Sequence, residues 1–453
     1  MDQVSKVLVV GGGSAGFLTA LALKHHVPGI QVSLVHSSAI PIIGVGESTT
    51  IAFPRFVHQY LGIDRGEFFE MVQPSWKLGI RFEWGDPERS HFNYTFDGQM
   101  GNRRQMLSRI DSFYCLHDDT HASTQACLMD RQLSPCFGRS GRYTMTQNYG
   151  YHLDARLLVK YLEQRAVEQG IELIDGTVAD IQRHNSGNVS SVNLEDGRRL
   201  TADLFVDCTG FRSLLLSKTM GAPFVSYADE LFCDRAWAGR AERDGEILPY
   251  TTTSTMDHGW SWRIEFENHI TRGYVFSSEF CSDDQAAHEL MARSPEIGTD
   301  LRLIKFPRGR YEKFWVGNVA AIGNASGFVE PLEATALHMV AEQVRGLCQS
   351  LVDCNNRIVP AMQELQNRRY RTLWDDICAF LAVHYKFNHH RDTPFWKHCQ
   401  KETDLTCAAD FVEAFQQAGP SIWLSKLLPD SIFGFSGYMC MLIGQNVPTR
   451  FDK

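Results

Sequence analysis

The stretch Lys6-Val-Leu-Val-Val-Gly-Gly-Gly-Ser-Ala-Gly16 decides the fold class of this chain. An apolar run that predicts a buried strand is followed by glycines in the spacing G-x-G-x-x-G and then by an apolar helical segment. This order suits a tight turn that lets the backbone approach a pyrophosphate at a helix amino terminus. The sequence therefore predicts a dinucleotide-binding α/β unit. Its predicted cofactor-binding residues are Gly11, Gly13, Ser14, Ala15 and Gly16.

Two later stretches complete the predicted nucleotide-binding sheet. The run 31–36 reads as the second strand, and it ends at His36, where such sheets normally supply an acidic residue to the ribose. Residues 202–213 read as a strand that returns to this sheet and ends near Thr209-Gly210. A return across the middle of the chain is typical of two-segment FAD-binding folds.

A second glycine-rich loop, Gly44-Val-Gly-Glu-Ser-Thr49, can lie against a cofactor and supply backbone donors and hydroxyls. The alternative is an ordinary turn in which Ser48 or Thr49 caps a helix. The predicted cofactor contacts of this loop are Gly44, Val45, Gly46, Glu47, Ser48 and Thr49.

Residues 76–84 alternate between apolar and polar side chains and predict one continuous strand. Lys77 then shares the polar face with Arg81 and Glu83. A solvated lysine is the usual outcome for such a position, and a functional role requires that face to line a cavity.

The central and C-terminal regions add a second sheet and a helical part. Residues 258–266 alternate, which places Trp260 and Trp262 on one face as an aromatic wall or as core packing. Residues 92–151 read as substrate-side loops with short helices. Helices are predicted near residues 154–169, 361–381 and 408–417.

The stretch 323–338 joins a predicted strand, 314–323, to a predicted helix with Pro331 in its first turn. It carries Glu333 at that junction. A helix amino terminus offers unpaired N–H groups that suit an anion such as halide or the edge of a reduced flavin. Taken alone, the stretch favours an ordinary capped helix with an acidic first turn over a functional site.

Composition narrows the class of protein. The chain has 453 residues, 43% of them hydrophobic, and a formal net charge of -9, so it can bury a large core and has no basic surface for nucleic acid. No apolar run reaches a membrane-spanning length and no signal peptide is evident, so we expect a cytoplasmic protein. The 12 cysteines contain no Cys-x-x-Cys pair, and no metal-ligand spacing occurs among the 17 histidines.

Taken together, these motifs resemble the flavin-dependent tryptophan halogenase family over nearly the whole chain. The glycine loops match its FAD loops, residues 76–82 look like the segment with its catalytic lysine, and Trp260-Ser-Trp-Arg-Ile264 is similar to its W-x-W-x-I-P signature. Residues 327–333 match the segment with its catalytic glutamate, and residues 384–387 and 391–396 resemble a further shared segment. The lysine, tryptophan and glutamate segments together are specific to this family.

The resemblance implies a fold and a reaction. The fold would be a two-segment, Rossmann-like FAD-binding core of the flavin monooxygenase type over residues 1–335, with substrate-side insertions at about 50–150 and 220–310, a substrate-side sheet, and a mainly helical region over residues 336–453. FADH2 from a separate NAD(P)H-dependent flavin reductase, with oxygen and chloride, bromide or iodide, would give hypohalous acid. This acid would pass the partition formed by Trp260 and Trp262 to Lys77 and Glu333, which would direct the halogen onto a small aromatic substrate.

The resemblance also implies the remaining site residues. Gly323 would contact the cofactor, Thr335 and Ala336 would hold halide through their backbone amides, and Phe96 would contact the substrate. A homodimer is compatible with a chain of this kind.

Several departures from the family pattern bear on the substrate. Glu265 stands where the signature has proline, Ala334 and Ala336 replace serine and glycine, and Tyr94-Thr-Phe96 replaces the His-Pro-Phe of free-tryptophan enzymes. We therefore expect an electron-rich, indole-like aromatic and leave free tryptophan open. The alternatives are a flavin-dependent aromatic hydroxylase and a non-catalytic flavin-binding protein.

Overall fold

The strands and helices below come from a computed structural model that describes residues 3–41, 46–97, 123–134, 136–139, 142–145, 148–243, 245–428 and 430–450. Gly44 and Val45, and residues 98–122 of the predicted insertion, lie outside the described residues.

The strands are numbered in chain order. They are β1 Lys6–Val10, β2 Gln31–His36, β3 Glu47–Ser48, β4 Ser75–Lys77, β5 Gly79–Glu83, β6 Phe92–Thr95, β7 Cys136–Arg139, β8 Arg142–Met145, β9 Gly150–Leu153, β10 Glu172–Asp175, β11 Val178–Arg183, β12 Val189–Leu194, β13 Arg199–Leu200, β14 Leu204–Asp207, β15 Phe224–Ser226, β16 Arg235–Glu242, β17 Thr251–Met256, β18 Gly259–Glu265, β19 His269–Phe276, β20 Arg302–Lys305, β21 Gly309–Tyr311, β22 Trp315–Val316, β23 Val319–Ala321 and β24 Gly327–Phe328.

The α-helices follow the same numbering. They are α1 Ser14–His26, α2 Ala52–Arg55, α3 Arg65–Val72, α4 Thr124–Asp130, α5 Ala155–Glu168, α6 Asp283–Arg293, α7 Ala336–Asp353, α8 Pro360–Lys386, α9 Pro394–Glu402, α10 Ala409–Ala418 and α11 Gly434–Gly444.

The nucleotide-binding sheet is built around β1. Within the described residues its strand order is β10-β2-β1-β14-β23-β22, and all neighbours are parallel except β22 and β23. The apolar residues of β1 are buried, and α1 packs against α5 and α7. The predicted return strand is β14, which pairs in parallel with β1. The prediction of a two-segment, Rossmann-like core is thus confirmed.

The predicted strand at residues 314–323 is wrong as one element. Residues 315–321 form a short antiparallel hairpin, β22 and β23, because Gly317 turns the chain with φ 55°. Only β23 joins the parallel sheet, beside β14. The chain therefore reaches Gly323 from a shorter strand than the apolar run indicates.

The substrate-side sheet has the order β20-β16-β19-β18-β17-β5-β6 in the described part of the chain. Its neighbours are antiparallel except β17 and β5. The strand predicted at 258–266 is β18, and Trp260 and Trp262 are buried on one face of it.

The predicted continuous strand at 76–84 is wrong, because the chain changes sheets at Leu78. The N–H of Leu78 donates to the carbonyl of Pro249 (2.7 Å), which ends β4. Gly79 then opens β5 in the other sheet, where a Cβ would overlap the carbonyl of Tyr94. Lys77 therefore does not share a face with Arg81; it pairs with Gly150 in the small sheet β3-β9-β4.

The C-terminal third is mainly helical, as predicted. The helices predicted near 154–169, 361–381 and 408–417 are α5, α8 and α10. In addition, the glycine-containing segment near residue 434 begins a buried helix, α11, which the sequence analysis did not identify. None of the described helices is long and apolar enough to cross a membrane.

Candidate active site

The first glycine loop has the geometry of a nucleotide cradle. Gly11 has φ 122°, and a Cβ there would overlap the carbonyl of Cys208, so only glycine fits. A Cβ on Gly16 would overlap the carbonyl of Gly11, whereas one on Gly13 would meet no heavy atom within 4 Å. Gly13 caps α1, which begins at Ser14 without a side-chain cap. The loop thus combines tight packing with open space at the helix start.

The other segments predicted at the nucleotide meet this loop. His36, at the end of β2, lies against the backbone of Gly12, and a Cβ added to Gly12 would overlap the Cβ of the histidine. Gly323 has φ 64°, and a Cβ there would lie 3.4 Å from the Cβ of Ala15. The N–H of Gly323 donates to Gln343 of α7 (2.9 Å). The fold therefore brings two distant segments, the end of β2 and Gly323, to this loop.

A cavity of about 160 Å³ lies between this core and the substrate-side sheet. Two buried polar atoms in its lining, Trp262 Nε1 and Thr253 Oγ1, have no hydrogen-bond partner among the described residues. Because both residues line the cavity, these atoms can form hydrogen bonds with a ligand bound there. Together with the glycine cradle, they fit a flavin dinucleotide. The predicted site residues that line the cavity are Gly46, Glu47, Ser48, Trp260, Trp262 and Ala336.

The second glycine loop contributes unequally to this cavity. Glu47 and Ser48 line it, and burial raises the pKa of the Glu47 carboxyl to about 7. Ser48 lies 2.9 Å from the Thr251 hydroxyl, also in the lining. Thr49, by contrast, is buried in the backbone pairing with Tyr151, whose N–H donates to its hydroxyl (2.7 Å). Thr49 thus supports the loop and has no place in the lining.

The segment that carries Glu333 differs from the predicted helix start. Residues 331–333 form a 3-10 turn with Pro331 in its first position, and Ala334 follows in the left-handed conformation (φ 56°). The α-helix α7 begins only at Ala336, with Thr335 as its N-cap residue. Glu333 therefore precedes the helix, and the unpaired N–H groups of the first helical turn start at the cavity wall formed by Ala336.

Lys77 is buried near Glu333. It is only 1% exposed, and its ammonium lies 5.4 Å from the ring centroid of Phe96. Burial lowers the pKa of Lys77 from its usual 10.5 to about 7, and the charge of Glu333 partly offsets this shift. Neither Lys77 nor Glu333 lines the cavity. The structure thus brings Lys77, Phe96 and Glu333 together. None of the three lines the cavity that contains the predicted flavin contacts.

Two buried carboxylates of the same segment are held by consecutive residues of α8. Glu333 Oε1 lies 2.8 Å from His384 Nε2. Glu330 accepts hydrogen bonds from Tyr385 (2.5 Å) and from Trp260 Nε1 (2.6 Å). Residues 384–387 resemble a segment shared by the family, but local sequence predicts no role for them because Glu330 and Glu333 are distant in sequence.

The parallel sheet with its glycine cradle and the aromatic-walled cavity define a flavin-dependent oxidoreductase. The profile of the family described as "Tryptophan halogenase" matches residues 6–453, and the chain belongs to that family. It is therefore a flavin-dependent halogenase, an enzyme that halogenates aromatic substrates with a flavin and a halide. Enzymes of this class use a separate flavin reductase.

Similar proteins agree with this membership. Tryptophan 7-halogenase KtzQ of Kutzneria sp. (strain 744) is 33% identical over 447 residues, which are 92% of this chain and 83% of that protein. The crystal structure of MibH, a lathipeptide tryptophan 5-halogenase, is 40% identical with a TM-score of 0.89 over 99% of this chain and 87% of MibH. Xcc4156, a flavin-dependent halogenase from Xanthomonas campestris, is 28% identical with a TM-score of 0.87 over 99% and 90% of the two chains.

Proposed function

We propose that this halogenase transfers halogen from hypohalous acid to an electron-rich aromatic ring through Lys77 and Glu333. The observation that carries the proposal is that both groups are buried, interact electrostatically and lie outside the cavity lining. Bound FADH2, supplied by an NAD(P)H-dependent reductase, would provide hypohalous acid from oxygen and halide. The later steps, delivery of the halogen and removal of the ring proton, would depend on side chains of this chain.

Binding of FAD would rest on the residues already described. Gly11, Gly13 and Gly16 would admit the pyrophosphate, and the cavity with Trp262 Nε1 would take the ring. The N–H groups at Thr335 and Ala336 would hold halide at the start of α7. Ala336 lines the cavity, so halide there would be next to the flavin.

Lys77 is suited to carry electrophilic halogen because burial favours its neutral amine. The amine can hydrogen-bond hypohalous acid or react with it. In the second case the N–X bond forms as the HO–X bond breaks, and a proton of the amine leaves with hydroxide as water. The aromatic substrate would then attack the halogen, and the electrons of the N–X bond would return to nitrogen.

Glu333 is suited to accept the proton that the ring loses. When the ring C–H bond breaks, its electrons restore aromaticity and the proton passes to the carboxylate, which can return it to the nitrogen of Lys77. Burial of Glu333 keeps water from this exchange. Trp260 and Trp262 would form the wall that separates this chemistry from the flavin.

The substrate class is an indole or a similar electron-rich aromatic. Similarity to KtzQ and MibH supports tryptophan chemistry, and the name of MibH adds a tryptophan in a peptide to the substrates worth testing. The replacement of His-Pro-Phe by Tyr94-Thr-Phe96 favours a substrate other than the free amino acid.

The test is a reaction with a flavin reductase, FAD, NADH, oxygen and bromide or chloride, with indole, L-tryptophan and a tryptophan-containing peptide as substrates. We expect a product with the isotope pattern of the added halogen in the mass spectrum. A hydroxylated product formed without halide would establish the hydroxylase alternative.

A variant separates the site residues from flavin chemistry. Lys77→Ala should form no halogenated product while it still binds FAD, measured by flavin fluorescence, because the residue lies outside the cavity lining. Retained halogenation would rule out the role of Lys77, and lost FAD binding would show that the lysine supports the flavin site.

A further inference from the structure

His384 faces Glu333 in a fully enclosed part of α8. The histidine is 0% exposed and the glutamate 3%. The imidazole is surrounded by aromatic rings, with the centroid of Phe380 at 4.9 Å and that of Phe82 at 5.3 Å. The main chain is held as well, because Trp84 Nε1 donates to the carbonyl of His384 (2.9 Å). Both the ring and the backbone of this residue therefore have a fixed position.

The contacts of the imidazole determine how many protons the pair holds. Nδ1 lies 2.7 Å from the carbonyl oxygen of Phe380, which only accepts, so Nδ1 carries hydrogen. Nε2 lies 2.8 Å from Glu333 Oε1, and a hydrogen bond there needs one proton between the two atoms. The pair is either carboxylic acid with neutral imidazole or carboxylate with imidazolium. In both forms it holds one proton more than a carboxylate beside a neutral ring.

We propose that His384 is a positioning residue that shares this proton with Glu333 and takes it up when Glu333 receives the proton of the substrate. The inference rests on the proposed function. When the ring C–H bond breaks, its proton goes to Oε2, and the shared proton moves fully onto Nε2, so that the imidazole becomes imidazolium. Return of the proton from Oε2 to the nitrogen of Lys77 restores the starting state. No oxidant or reductant takes part in this step.

Glu333 is thereby able to act as a base in either form of the pair. A buried carboxyl that already holds a proton on Oε1 can accept a second one on Oε2 only if the first can leave. His384 is the group that can receive it, because no other hydrogen bond to the Glu333 carboxyl is found among the described residues. The remaining titratable groups that act on this pair are Lys77, Glu330 and Tyr94.

Anchoring alone does not require a histidine at this position. The next residue, Tyr385, already ties α8 to the same segment through Glu330, and Trp84 already fixes the backbone. The contacts of Tyr385 and Trp84 already hold α8 in place. The imidazole of His384 therefore adds the ability to exchange a proton with Glu333.

The kinetic test compares His384→Gln with the wild type on indole and L-tryptophan carrying hydrogen or deuterium on the ring carbons. Glutamine can donate to Oε1 and keep the carboxylate in place, but it cannot take up a proton. We expect kcat to fall by about 10- to 100-fold, within the contribution of a positioned general base, with KM little changed. The kinetic isotope effect, which is the ratio of the rates with hydrogen and with deuterium on the ring carbons, should increase because removal of the ring proton becomes slower.

Tyr370→Phe is the matched control on the same helix, since Tyr370 is buried and donates to the carbonyl of Glu342 (2.6 Å). It should leave kcat and the isotope effect unchanged. An unchanged isotope effect and kcat in His384→Gln would overturn the inference while the proposed function stands. Failure of the wild type to halogenate either indole would count against the proposed function.

A second measurement needs neither flavin nor substrate. In protein labelled with nitrogen-15 histidine, the imidazole signals lost in His384→Gln identify His384 by NMR. We expect hydrogen on Nδ1 and a hydrogen-bonded Nε2. A neutral ring with a bare Nδ1 would overturn the shared-proton pair, whatever the kinetics show.

Discussion

Replacement of Lys77 by methionine should make the protein more stable, and the gain should depend on pH. Methionine has a similar length and no charge, so it removes the cost of burying an amine. The shift of the Lys77 pKa from 10.5 to about 7 corresponds to about 5 kcal/mol at 1.36 kcal/mol per unit. Between these two values Lys77 binds less proton in the folded protein than in the unfolded chain, so the destabilisation caused by Lys77 becomes smaller as pH rises.

Linkage gives the size of the effect. We expect the free energy of unfolding of Lys77→Met to exceed that of the wild type by about 4 kcal/mol at pH 7 and by about 1 kcal/mol at pH 9.5. Urea unfolding of both proteins at each pH measures the difference, and all other groups cancel in the comparison. Lys397→Met is the control, because Lys397 is exposed and should give a difference within about 0.5 kcal/mol at either pH. A gain that is the same at both pH values would refute the assignment of Lys77 as a buried, largely neutral amine.

Three further predictions concern the cavity and its support. Burial raises the pKa of Glu330 from 4.5 to about 7, so this carboxyl holds more proton in the folded state than in the unfolded chain in that range. The share of Glu330 in the free energy of unfolding should fall by about 2 kcal/mol between pH 5 and pH 7. In urea unfolding, the fall of Glu330→Gln over this range should be smaller than that of the wild type by this amount. Gly13→Ala should leave the thermal unfolding temperature unchanged and weaken FAD binding measured by fluorescence, because a Cβ there meets only open space. Gly16→Ala should lower the unfolding temperature, because its Cβ would overlap the carbonyl of Gly11. Equal effects of the two variants would contradict the assignment of this loop as the nucleotide cradle. The buried carboxylate of Asp207 accepts hydrogen bonds from the N–H groups of Leu215 and Leu216 (2.7 and 2.9 Å). Asp207→Asn should therefore lower the free energy of unfolding by about 2 kcal/mol. An unchanged free energy of unfolding would contradict a stabilising role for these two hydrogen bonds.

The parts of the fold that follow from local pattern were predictable. The strand, glycines and helix of residues 6–26 lie in one continuous stretch, and α7 shows the helical spacing of apolar residues that buries one face. The predicted helix start at Pro331 was wrong because Ala334 adopts a left-handed conformation and delays the helix to Ala336, and alanine gives no sequence signal for this conformation.

The site depended on contacts that no local pattern encodes. The alternation of residues 76–84 continues through Leu78. However, the N–H of Leu78 donates a hydrogen bond to the carbonyl of Pro249, which ends the strand of Lys77 before the next strand begins. His384 lies on a helix that is buried on nearly all sides near its end, so periodicity does not show which face meets Glu333. The resemblance to a family supplied Lys77 and Glu333, whereas the contact of Glu333 with His384 required the structure.

The arrangement of His384 and Tyr385 on α8 restricts how this enzyme can be recombined with its relatives. Consecutive residues of one helix contact two carboxylates that are three positions apart in another segment, so one helix rotation and height must serve both contacts. In a chimera with residues 323–336 from one parent and residues 360–386 from another, the carboxylate segment and the helix have not been selected to fit each other. Crossover points that keep these two segments from the same parent should therefore yield most of the active hybrids.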